Sequence, residues 1–312
     1  MREYVLSYYN NFKCIAEKCK HTCCAGWEID IDEQSLNNYK TSVNAFSETL
    51  KQGVNFKKSK FKVDKQKRCA FLNGDGLCDI ILNLGEKSLC QVCRDHPRFR
   101  SFFNDRIETG LGFCCEEATR IILSFKENIA PLLISDDEKQ TELEFNQKNV
   151  LGFREKALNI LQDRTANINN RIDNMLKECN AKFNEQDFKK ILKTFLLFER
   201  VNKTWIKRLK KLNKPFKKTT DENLSLYCEQ FLVNSLYRHL SDAEDTMWVR
   251  ARAISCVFSW WVIKSIIEQE RNENQNLFEL VVDVVRSYSV EVEYSQKNLN
   301  KLFSFCYKYI KI

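Results

Sequence analysis

Cysteine is the residue type that most constrains this sequence. Ten of the fourteen cysteines lie before residue 116, namely Cys14, Cys19, Cys23, Cys24, Cys69, Cys78, Cys90, Cys93, Cys114 and Cys115. Thiolates are strong ligands of soft and borderline metals, and metal binding itself favours the deprotonated form. The uneven distribution predicts a metal centre in the N-terminal region, and we expect the other cysteines to be small buried apolar residues. Those others are Cys179, Cys228, Cys256 and Cys306.

No segment of the sequence has the character of a targeting signal or a membrane span. The first residues are polar where a secretory signal needs an uninterrupted apolar region. The most apolar later stretch, residues 253–267, is broken by serines and a lysine and is too short to span a bilayer. We therefore expect a soluble, cytoplasmic protein without membrane contact. Disulfides rarely persist in that reducing compartment, so the thiols would be available to a metal.

The spacing of the cysteines favours metal binding without identifying the metal. The groups are a C-x4-C-x3-CC run from Cys14, a pair around the turn Gly74-Asp75-Gly76, a C-x2-C motif from Cys90 and an adjacent pair at Cys114. Structural zinc sites usually use two C-x2-C knuckles, whereas four thiolates from separate segments suit an iron–sulfur cubane at least as well. Spacing alone leaves both metals open, including a zinc-stapled fold without chemistry. Adjacent cysteines normally point apart, so we expect one of each pair to pack rather than bind.

From about residue 116 onward the pattern is helical. Glycine and proline are scarce, with 8 and 3 residues in 312, and apolar residues recur at steps of three and four. The predicted helical ranges are 158–179, 188–212, 224–240, 247–270, 277–288 and 298–310. We predict a mainly α protein with two domains. An irregular, cysteine-rich, metal-binding region of residues 1–125 packs on a C-terminal helical bundle of residues 126–312.

Three stretches of the sequence together resemble one family. They are FKCIAEKCKHTCCAGWEIDID, CAFLNGDGLCDIILNLGEKSLCQVCRDHPR and CCEEATRIIL. These spaced cysteines, with Gly26-Trp27 and Pro97-Arg98, resemble the flagellin lysine-N-methylases of the bacterial FliB type, whose cysteine-rich region is also described as zinc- or iron-chelating. The resemblance is dense over residues 8–125. It is weaker in the helical half, where EQFLVNSLYRHL is similar to a family segment.

The resemblance implies a cytoplasmic enzyme that transfers methyl groups from S-adenosylmethionine to lysine side chains of flagellin. It also implies a [4Fe–4S] cluster needed for activity, with zinc as the alternative metal. The family's cysteines correspond to Cys14, Cys19, Cys23, Cys24, Cys69, Cys78, Cys90 and Cys93. Cys115 corresponds to a family cysteine before a proline, but here Glu116 replaces that proline and Cys114 is added. Since more than four cysteines match, four would hold one cluster while the rest pack or bind a second metal.

Lysine methylation makes its own demand, because only a neutral amine has the lone pair that attacks a sulfonium methyl. A free lysine has a pKa of about 10.4, so the enzyme must desolvate the amine or supply a base. Four residues that flank the cysteine groups are candidate bases on that ground alone, although surface or capping roles are commoner. They are Asp30, Asp32, Tyr39 and Asp79.

The familiar signatures of S-adenosylmethionine chemistry are missing from the sequence. Gly110-Leu111-Gly112 lacks the third glycine of a nucleotide-binding loop, and there is no C-x3-C-x2-C triplet of the radical enzymes. We therefore predict a polar methyl transfer in which the cluster organises the site or anchors the cofactor. Catalytic and cofactor-binding residues stay unknown at this stage.

Several other side chains have a common role and a rarer functional one. His21 and His96 could replace a thiolate, and Arg98 could hold a carboxylate, although hydrogen bonds and salt bridges are commoner. Residues 203–218 hold eight basic residues and no acid. We interpret them as a solvated helix face, with a docking patch for an acidic partner as the alternative. The aromatic run 258–261 has the spacing of a packed core.

Two function classes compete with methylation. One is a noncatalytic module that stores or delivers iron or senses redox state, and the other is a zinc-stapled adaptor that binds a protein or RNA. The net charge of +8 allows an acidic partner without requiring nucleic acid. The leading hypothesis is a cluster-dependent protein-lysine methyltransferase whose partner is flagellin.

Overall fold

Helices make up most of the regular structure. The computed structural model describes residues 1–26, 28–136, 141–183, 186–200, 203–212, 218 and 221–311. The strands are β1 (Arg2–Leu6), β2 (Val54–Asn55), β3 (Lys60–Phe61), β4 (Arg98–Phe102), β5 (Arg106–Leu111) and β6 (Pro131–Ser135). The helices are α1 (Glu33–Thr41), α2 (Ser47–Gly53), α3 (Asp79–Leu84), α4 (Gln91–Asp95), α5 (Glu116–Ser124), α6 (Phe145–Gln162), α7 (Ile168–Glu178), α8 (Asp187–Leu196), α9 (Lys203–Lys211), α10 (Glu222–His239), α11 (Thr246–Glu270), α12 (Leu277–Tyr288) and α13 (Gln296–Tyr307). The mainly helical fold class is therefore confirmed.

Two compact units divide the chain. The first, here called the cysteine unit, consists of Lys13–Arg98 and Cys115–Glu117. The second, here called the helical unit, consists of Met1–Phe12, Phe99–Cys114 and Ala118–Ile312. This division differs from a single boundary at residue 125, because the first strand and the strands after residue 98 join the sheet of the helical unit.

That sheet was not predicted from the sequence. Its strand order is β4-β5-β1-β6, with β1 parallel to β5 and antiparallel to β6. Arg2 pairs with Arg106 in the parallel register, so the two partner strands are about a hundred residues apart in sequence. Each strand has only five or six residues, and such short segments carry a weak periodic signal.

The helices of the second half begin where the sequence supplies capping side chains. Asp221 accepts hydrogen bonds from the backbone at the start of α10, and Asp245 does so at the start of α11. Asn276 caps α12 and Ser295 caps α13 in the same way. These side chains satisfy backbone N–H groups that have no partner inside the helix. The predicted ranges 224–240, 247–270, 277–288 and 298–310 agree with these four helices to within a few residues.

Helix α11 forms the centre of the helical unit and packs against α10, α12 and α13. Its side chains are buried on all sides over most of its length, including Phe258 and Trp260 at 0% exposure. The aromatic run is therefore part of the core, as predicted. Within the described residues, no helix combines the length and apolar character needed to cross a bilayer.

The cysteine unit is built from short elements around a core of its own. The core contains Ile29, Ile31, Tyr39, Leu50, Val54, Phe61, Cys69, Phe71, Ile80 and Cys90. Its longest described helix, α1, has nine residues, and β2 and β3 form a hairpin of two residues on each side. Much of this unit is held by isolated backbone bridges and turns rather than by long regular elements.

Candidate metal centre

Backbone pairing brings the first and second cysteine groups side by side. The Cys69 N–H donates to the Cys24 carbonyl at 2.8 Å, and the Gly26 N–H donates to the Lys67 carbonyl at 2.9 Å. These bonds align residues 24–26 with residues 67–69 in antiparallel fashion. Cys24 and Cys69 are thereby neighbours although 45 positions separate them in sequence. Trp27, which follows this segment, lies outside the described residues.

A tight turn brings Cys78 back toward Cys69. The Asn73 side chain accepts hydrogen bonds from the backbone N–H groups of Asp75 and Leu77, each at 3.0 Å. Gly76 has φ +79°, a conformation that side chains with a Cβ rarely adopt. The turn leads directly into α3, and Cys78 lies at the position before that helix.

The C-x2-C motif spans the first turn of α4. Cys90 lies at the position before the helix and Cys93 lies one turn further, which directs both sulfurs to one side. Asp32 fixes this helix, since its carboxylate accepts from the Gln91 N–H at 2.8 Å and also caps α1 through Ser35. The Cys90 Sγ lies 3.9 Å from the Asp30 carbonyl.

Five cysteines meet in one hydrophobic core. Cys69 and Cys90 are buried there, and Cys24, Cys78 and Cys93 pack against them partly buried. Burial raises the pKa of Cys69 to about 11, and the negative charge that Cys24, Cys78 and Cys90 can carry adds to the rise. Such mutual influence requires sulfurs within interaction distance of one another. We call these five residues the thiol core.

Two members of the thiol core have lowered pKa values. The Cys93 thiol donates a hydrogen bond to Cys90, which lowers the pKa of Cys90 and raises that of Cys93. The Cys23 thiol does the same for Cys24 and lowers the pKa of Cys24 to about 7. The thiolate is the form that binds metals. Cys93 thus stabilises the thiolate of Cys90, and Cys23 stabilises the thiolate of Cys24.

The remaining predicted ligands lie outside the thiol core. Cys14 and Cys23 are exposed, and Cys19 is partly buried with its Sγ 3.8 Å from Glu116 Oε2. Burial is the main cause that raises the pKa of Cys19, with Glu116 and Cys14 adding to it.

The adjacent pair at positions 114 and 115 is divided between the two units. Cys115 belongs to the cysteine unit, whereas Cys114 is buried in the helical unit and its thiol donates to Tyr294 Oη at 2.7 Å. Cys115 is the member of the pair that the family resemblance marks as a possible ligand. The division explains why these neighbours have different surroundings.

The chemistry of the thiol core fits a thiophilic metal or an iron–sulfur cluster. The core supplies five thiols, and thiolates are the usual ligands of such clusters. Across the described ranges, however, no three His, Cys, Asp or Glu side chains stand as ready ligands of one metal ion. The nine predicted ligands therefore stay a prediction, and the structure divides them into five in the core and four outside.

The candidate bases next to the cysteines all have structural partners. Burial alone would raise the pKa of Asp32, but the hydrogen bonds from Gln91 and Ser35 outweigh it and lower the pKa. Tyr39 donates to the Ser88 carbonyl at 2.6 Å. Asp79 accepts from the Asn73 amide at 3.0 Å, and Asp30 lies 3.4 Å from the Lys60 ammonium. These contacts match the capping and surface roles that are commoner for such residues.

The other side chains singled out in the sequence also have local roles. Arg98 donates to the Arg94 carbonyl at 3.1 Å, and the His96 N–H donates to the Val92 carbonyl at the end of α4. In the basic run, Trp205 and Leu209 are buried, which agrees with a helix face whose lysines point to solvent. Residues 213–217 of that run lie outside the described residues.

The segment EQFLVNSLYRHL forms the polar interior of the helical unit. Glu229, which is 1% exposed, accepts from buried Arg171 at 2.6 Å and from Arg164 at 2.7 Å. Gln230 donates to the carbonyls that follow α5. Asn234 donates to a carbonyl at the end of β5 at 3.1 Å. A buried polar side chain with satisfied partners fixes the register of the elements around it.

A second buried polar cluster was missed by sequence reasoning. It surrounds Glu293, at the end of the π-helical segment Ser289–Glu293. Arg238 lies 3.7 Å and His239 lies 2.9 Å from its carboxylate, and the Ser289 hydroxyl donates to it. Burial would raise the pKa of Glu293, but the charge of Arg238 and the bond with His239 lower it to about 2. The short sequence SVEVE does not indicate that Glu293 is buried in a polar cluster. π-helical turns are often found at functional sites.

Fold and site define a mainly helical protein with a separate cysteine-rich unit and a thiol-lined core. Comparison with known sequences then identifies its family. A sequence model of the FliB lysine N-methylase C-terminal domain matches residues 109–310, and the chain belongs to that family. The matched range covers most of the helical unit and leaves the thiol core outside.

Named relatives are distant. The chain is 25% identical to the lysine-N-methylase of Salmonella choleraesuis over 162 residues, which are 49% of this chain and 39% of the relative. The lysine-N-methylase of Salmonella typhimurium matches with the same figures. The flagellar biosynthetic protein FliU of Salmonella muenchen is 27% identical over 132 residues, 40% of this chain and 78% of that protein. The match thus spans well under half the length of the lysine-N-methylases, and no solved structure matches the chain.

Proposed function

We propose that this protein methylates lysine side chains of flagellin in the cytoplasm, with S-adenosylmethionine as the methyl donor. The observation that carries the proposal is membership of the FliB lysine N-methylase family over residues 109–310. The names of the relatives add lysine methylation and the flagellum. The cysteine pattern of residues 8–125 supports the same family independently of the C-terminal match.

The proposed reaction is a polar substitution at carbon. The lone pair of a neutral lysine Nζ attacks the sulfonium methyl, a C–N bond forms and the C–S bond breaks. The products are N-methyllysine and S-adenosylhomocysteine, and one proton leaves the nitrogen to a base or to water. An exposed lysine is protonated at neutral pH, so the site must desolvate the amine or accept its proton. The four candidates beside the cysteines all hold structural hydrogen bonds or ion pairs, which makes desolvation the favoured route.

The proposed ligands of a [4Fe–4S] cluster are four of the five residues of the thiol core. Cys24, Cys69, Cys78, Cys90 and Cys93 come from four separate segments, yet share one apolar environment. A bound cluster would hold S-adenosylmethionine in a fixed position. It would also stabilise a unit that has little regular secondary structure. Cys14, Cys19, Cys23 and Cys115 would then pack, or hold a second metal. Zinc is the alternative occupant of the same thiols.

Anaerobic purification followed by a methylation assay tests the proposal. Iron and inorganic sulfide are measured first, and the loaded protein is then incubated with methyl-labelled S-adenosylmethionine and unmethylated flagellin. We expect label on flagellin lysines, mapped by mass spectrometry of peptides. A matched flagellin whose lysines are chemically acetylated serves as the control, because an amide nitrogen does not attack the sulfonium methyl. If a fully loaded sample leaves every lysine unlabelled, catalysis is excluded and the noncatalytic iron- or zinc-chelating module takes its place.

A further inference from the structure

A polar pocket opens beside the thiol core. It has a volume of about 310 Å³ and lies between α1, the start of α2 and the segment that leads into α4. Its lining includes Gln34, Asn38, Tyr39, Asn44, Lys87 and Arg94. The volume is at the lower end of that of small-ligand sites, but such sites are usually lined by apolar and aromatic side chains. This one is lined mainly by amides, hydroxyls and two cations.

The charge of the pocket has one sign. Lys87 and Arg94 both line it, and none of its lining residues is acidic. Among the described residues, the only hydrogen bond of the Arg94 side chain is a long one of 3.5 Å to the Leu89 carbonyl. In the part of the chain that the structure describes, neither cation forms an ion pair. Two cations in a concave surface without a counter-charge attract anions.

Tyr39 belongs both to the lining of the pocket and to the hydrophobic core that contains the thiol core. Tyr39 is buried, and its ring packs against Phe61 of the core with 5.9 Å between centroids. Its hydroxyl, in the pocket lining, donates to the Ser88 carbonyl at 2.6 Å. Arg94 follows Cys93 directly in the sequence. A ligand in the pocket would therefore contact Leu89 and Arg94, the residues next to Cys90 and Cys93 in the sequence.

We propose that this pocket binds an acidic peptide segment, with carboxylate side chains on Lys87 and Arg94 and peptide amides on the neighbouring side-chain amides. This inference rests on the proposed function, since the peptide would be part of the protein substrate. Lysine-bearing segments that also carry carboxylates would then be selected for methylation.

S-adenosylmethionine fits the pocket less well than a peptide does. Its sulfonium and ammonium groups outnumber its carboxylate, so a lining with two cations and no acid opposes its net charge. Its adenine needs apolar or aromatic faces, and the described lining offers one aromatic ring, Tyr39. An acidic peptide meets the charge and the hydrogen-bonding groups together.

Direct binding to the full chain tests the inference without methyl transfer. The probes are a fluorescein-labelled peptide with two glutamates and the same peptide with glutamines, measured by fluorescence anisotropy at low and physiological salt. We expect the glutamate peptide to bind more tightly, and its affinity to fall as salt rises. Lys87→Glu and Arg94→Glu should each weaken binding about threefold to tenfold, because each reverses one charge near the peptide. Lys87→Arg, which keeps the positive charge, should bind the glutamate peptide about as tightly as the original chain.

Matched controls decide where the peptide binds. Lys65→Glu makes the same charge change at an exposed position of the cysteine unit outside the pocket, and Lys210→Glu makes it on α9. Neither should change the affinity by more than about twofold. Equal binding of the two peptides, or a loss caused by Lys210→Glu or Lys65→Glu rather than by Lys87→Glu, would overturn the inference. A methylation assay that fails while the peptide still binds would count against the proposed enzyme and leave the pocket assignment intact.

Discussion

The cysteine unit and the helical unit are held together by different kinds of interaction. In the helical unit, long capped helices such as α11 bury apolar side chains all round, and ion pairs neutralise the charges inside. In the cysteine unit the longest described helix has nine residues, and five of the nine thiols predicted to bind metal lie in the apolar core. The cysteine unit brings together thiols that we propose as metal ligands.

Buried polar groups show the same contrast. Glu229 and Glu293 in the helical unit are each surrounded by cations and hydrogen-bond donors of the chain itself. In the thiol core the polar side-chain atoms of the five cysteines are sulfurs, which form weak hydrogen bonds. Burial is the main cause that raises the pKa of Cys69, and the hydrogen bond to Cys90 is the main cause that raises the pKa of Cys93. We predict that the stability of the cysteine unit depends on a bound metal and that the stability of the helical unit does not.

Metal removal should have the largest effect, and it should be confined to one unit. Structural metals in small domains contribute on the order of 10 kcal/mol to folding. A chelator added to the metal-loaded protein should therefore speed amide exchange in residues 28–98 by at least about a hundredfold. Hydrogen-exchange mass spectrometry resolves this from residues 221–311, where we expect no change. Equal acceleration in both ranges would remove the contrast.

Single cysteine substitutions should then separate the core thiols from the buried ones. Cys90→Ser should abolish most of the metal content, because a neutral hydroxyl is a poor ligand for a soft metal. Cys179→Ser is the matched control, since Cys179 is equally buried but lies in the helical unit. Metal and sulfide analysis of both variants makes the comparison. If both lose metal alike, or if neither does, the thiol core is not the binding site.

The sequence predicted the parts of this molecule whose signal is local. Helices α10 and α11 were located to within a few residues, because a long stretch rich in apolar residues and free of glycine and proline is a local signal. The packing of distant cysteines in one core was predicted from their number, since a shared metal would explain why so many thiols lie in one region of the chain. Neither inference required knowledge of the tertiary contacts.

Features that depend on distant pairing could not be predicted. The β1–β5 pairing joins segments about a hundred residues apart, and neither strand has a strong alternating pattern. The spacing C-x4-C-x3-CC does not reveal that Cys24 enters the core while Cys23 stays exposed, because that depends on the bonds between residues 24–26 and 67–69. The cluster around Glu293 also exists only after α10 and the π-helical segment have met.

Breaking the ion network of Glu229 should destabilise the helical unit strongly. Glu229→Gln leaves Arg171 buried without its counter-charge, and such a change costs about 3–5 kcal/mol. Denaturant unfolding followed by tryptophan fluorescence reports this unit, because four of the five tryptophans belong to it. Glu178→Gln is the control, since Glu178 makes only an exposed pair with Lys156 at 3.6 Å and should cost less than about 1 kcal/mol. Similar losses in both variants would mean that Glu229 is no more important than a surface charge.

The smallest effect should be a pH dependence that belongs to the helical unit alone. The folded pKa of Glu293 is lowered to about 2, below the ordinary value of a glutamate, so its ionised form stabilises the fold. That contribution is complete above about pH 4.5 and is lost as the pH falls toward 2, and it amounts to about 3 kcal/mol.

Comparison of the original chain with Glu293→Gln isolates the contribution of the Glu293 charge to the free energy of unfolding. The difference in free energy of unfolding, measured with denaturant at a series of pH values, should be largest near pH 6 and shrink toward pH 2. Glu273→Gln, at an exposed position in the turn before α12, should track the original chain throughout. A difference that stays constant with pH would show that Glu293 acts through packing rather than charge. The contribution of buried ionised side chains to the helical unit would then rest on Glu229 rather than on Glu293.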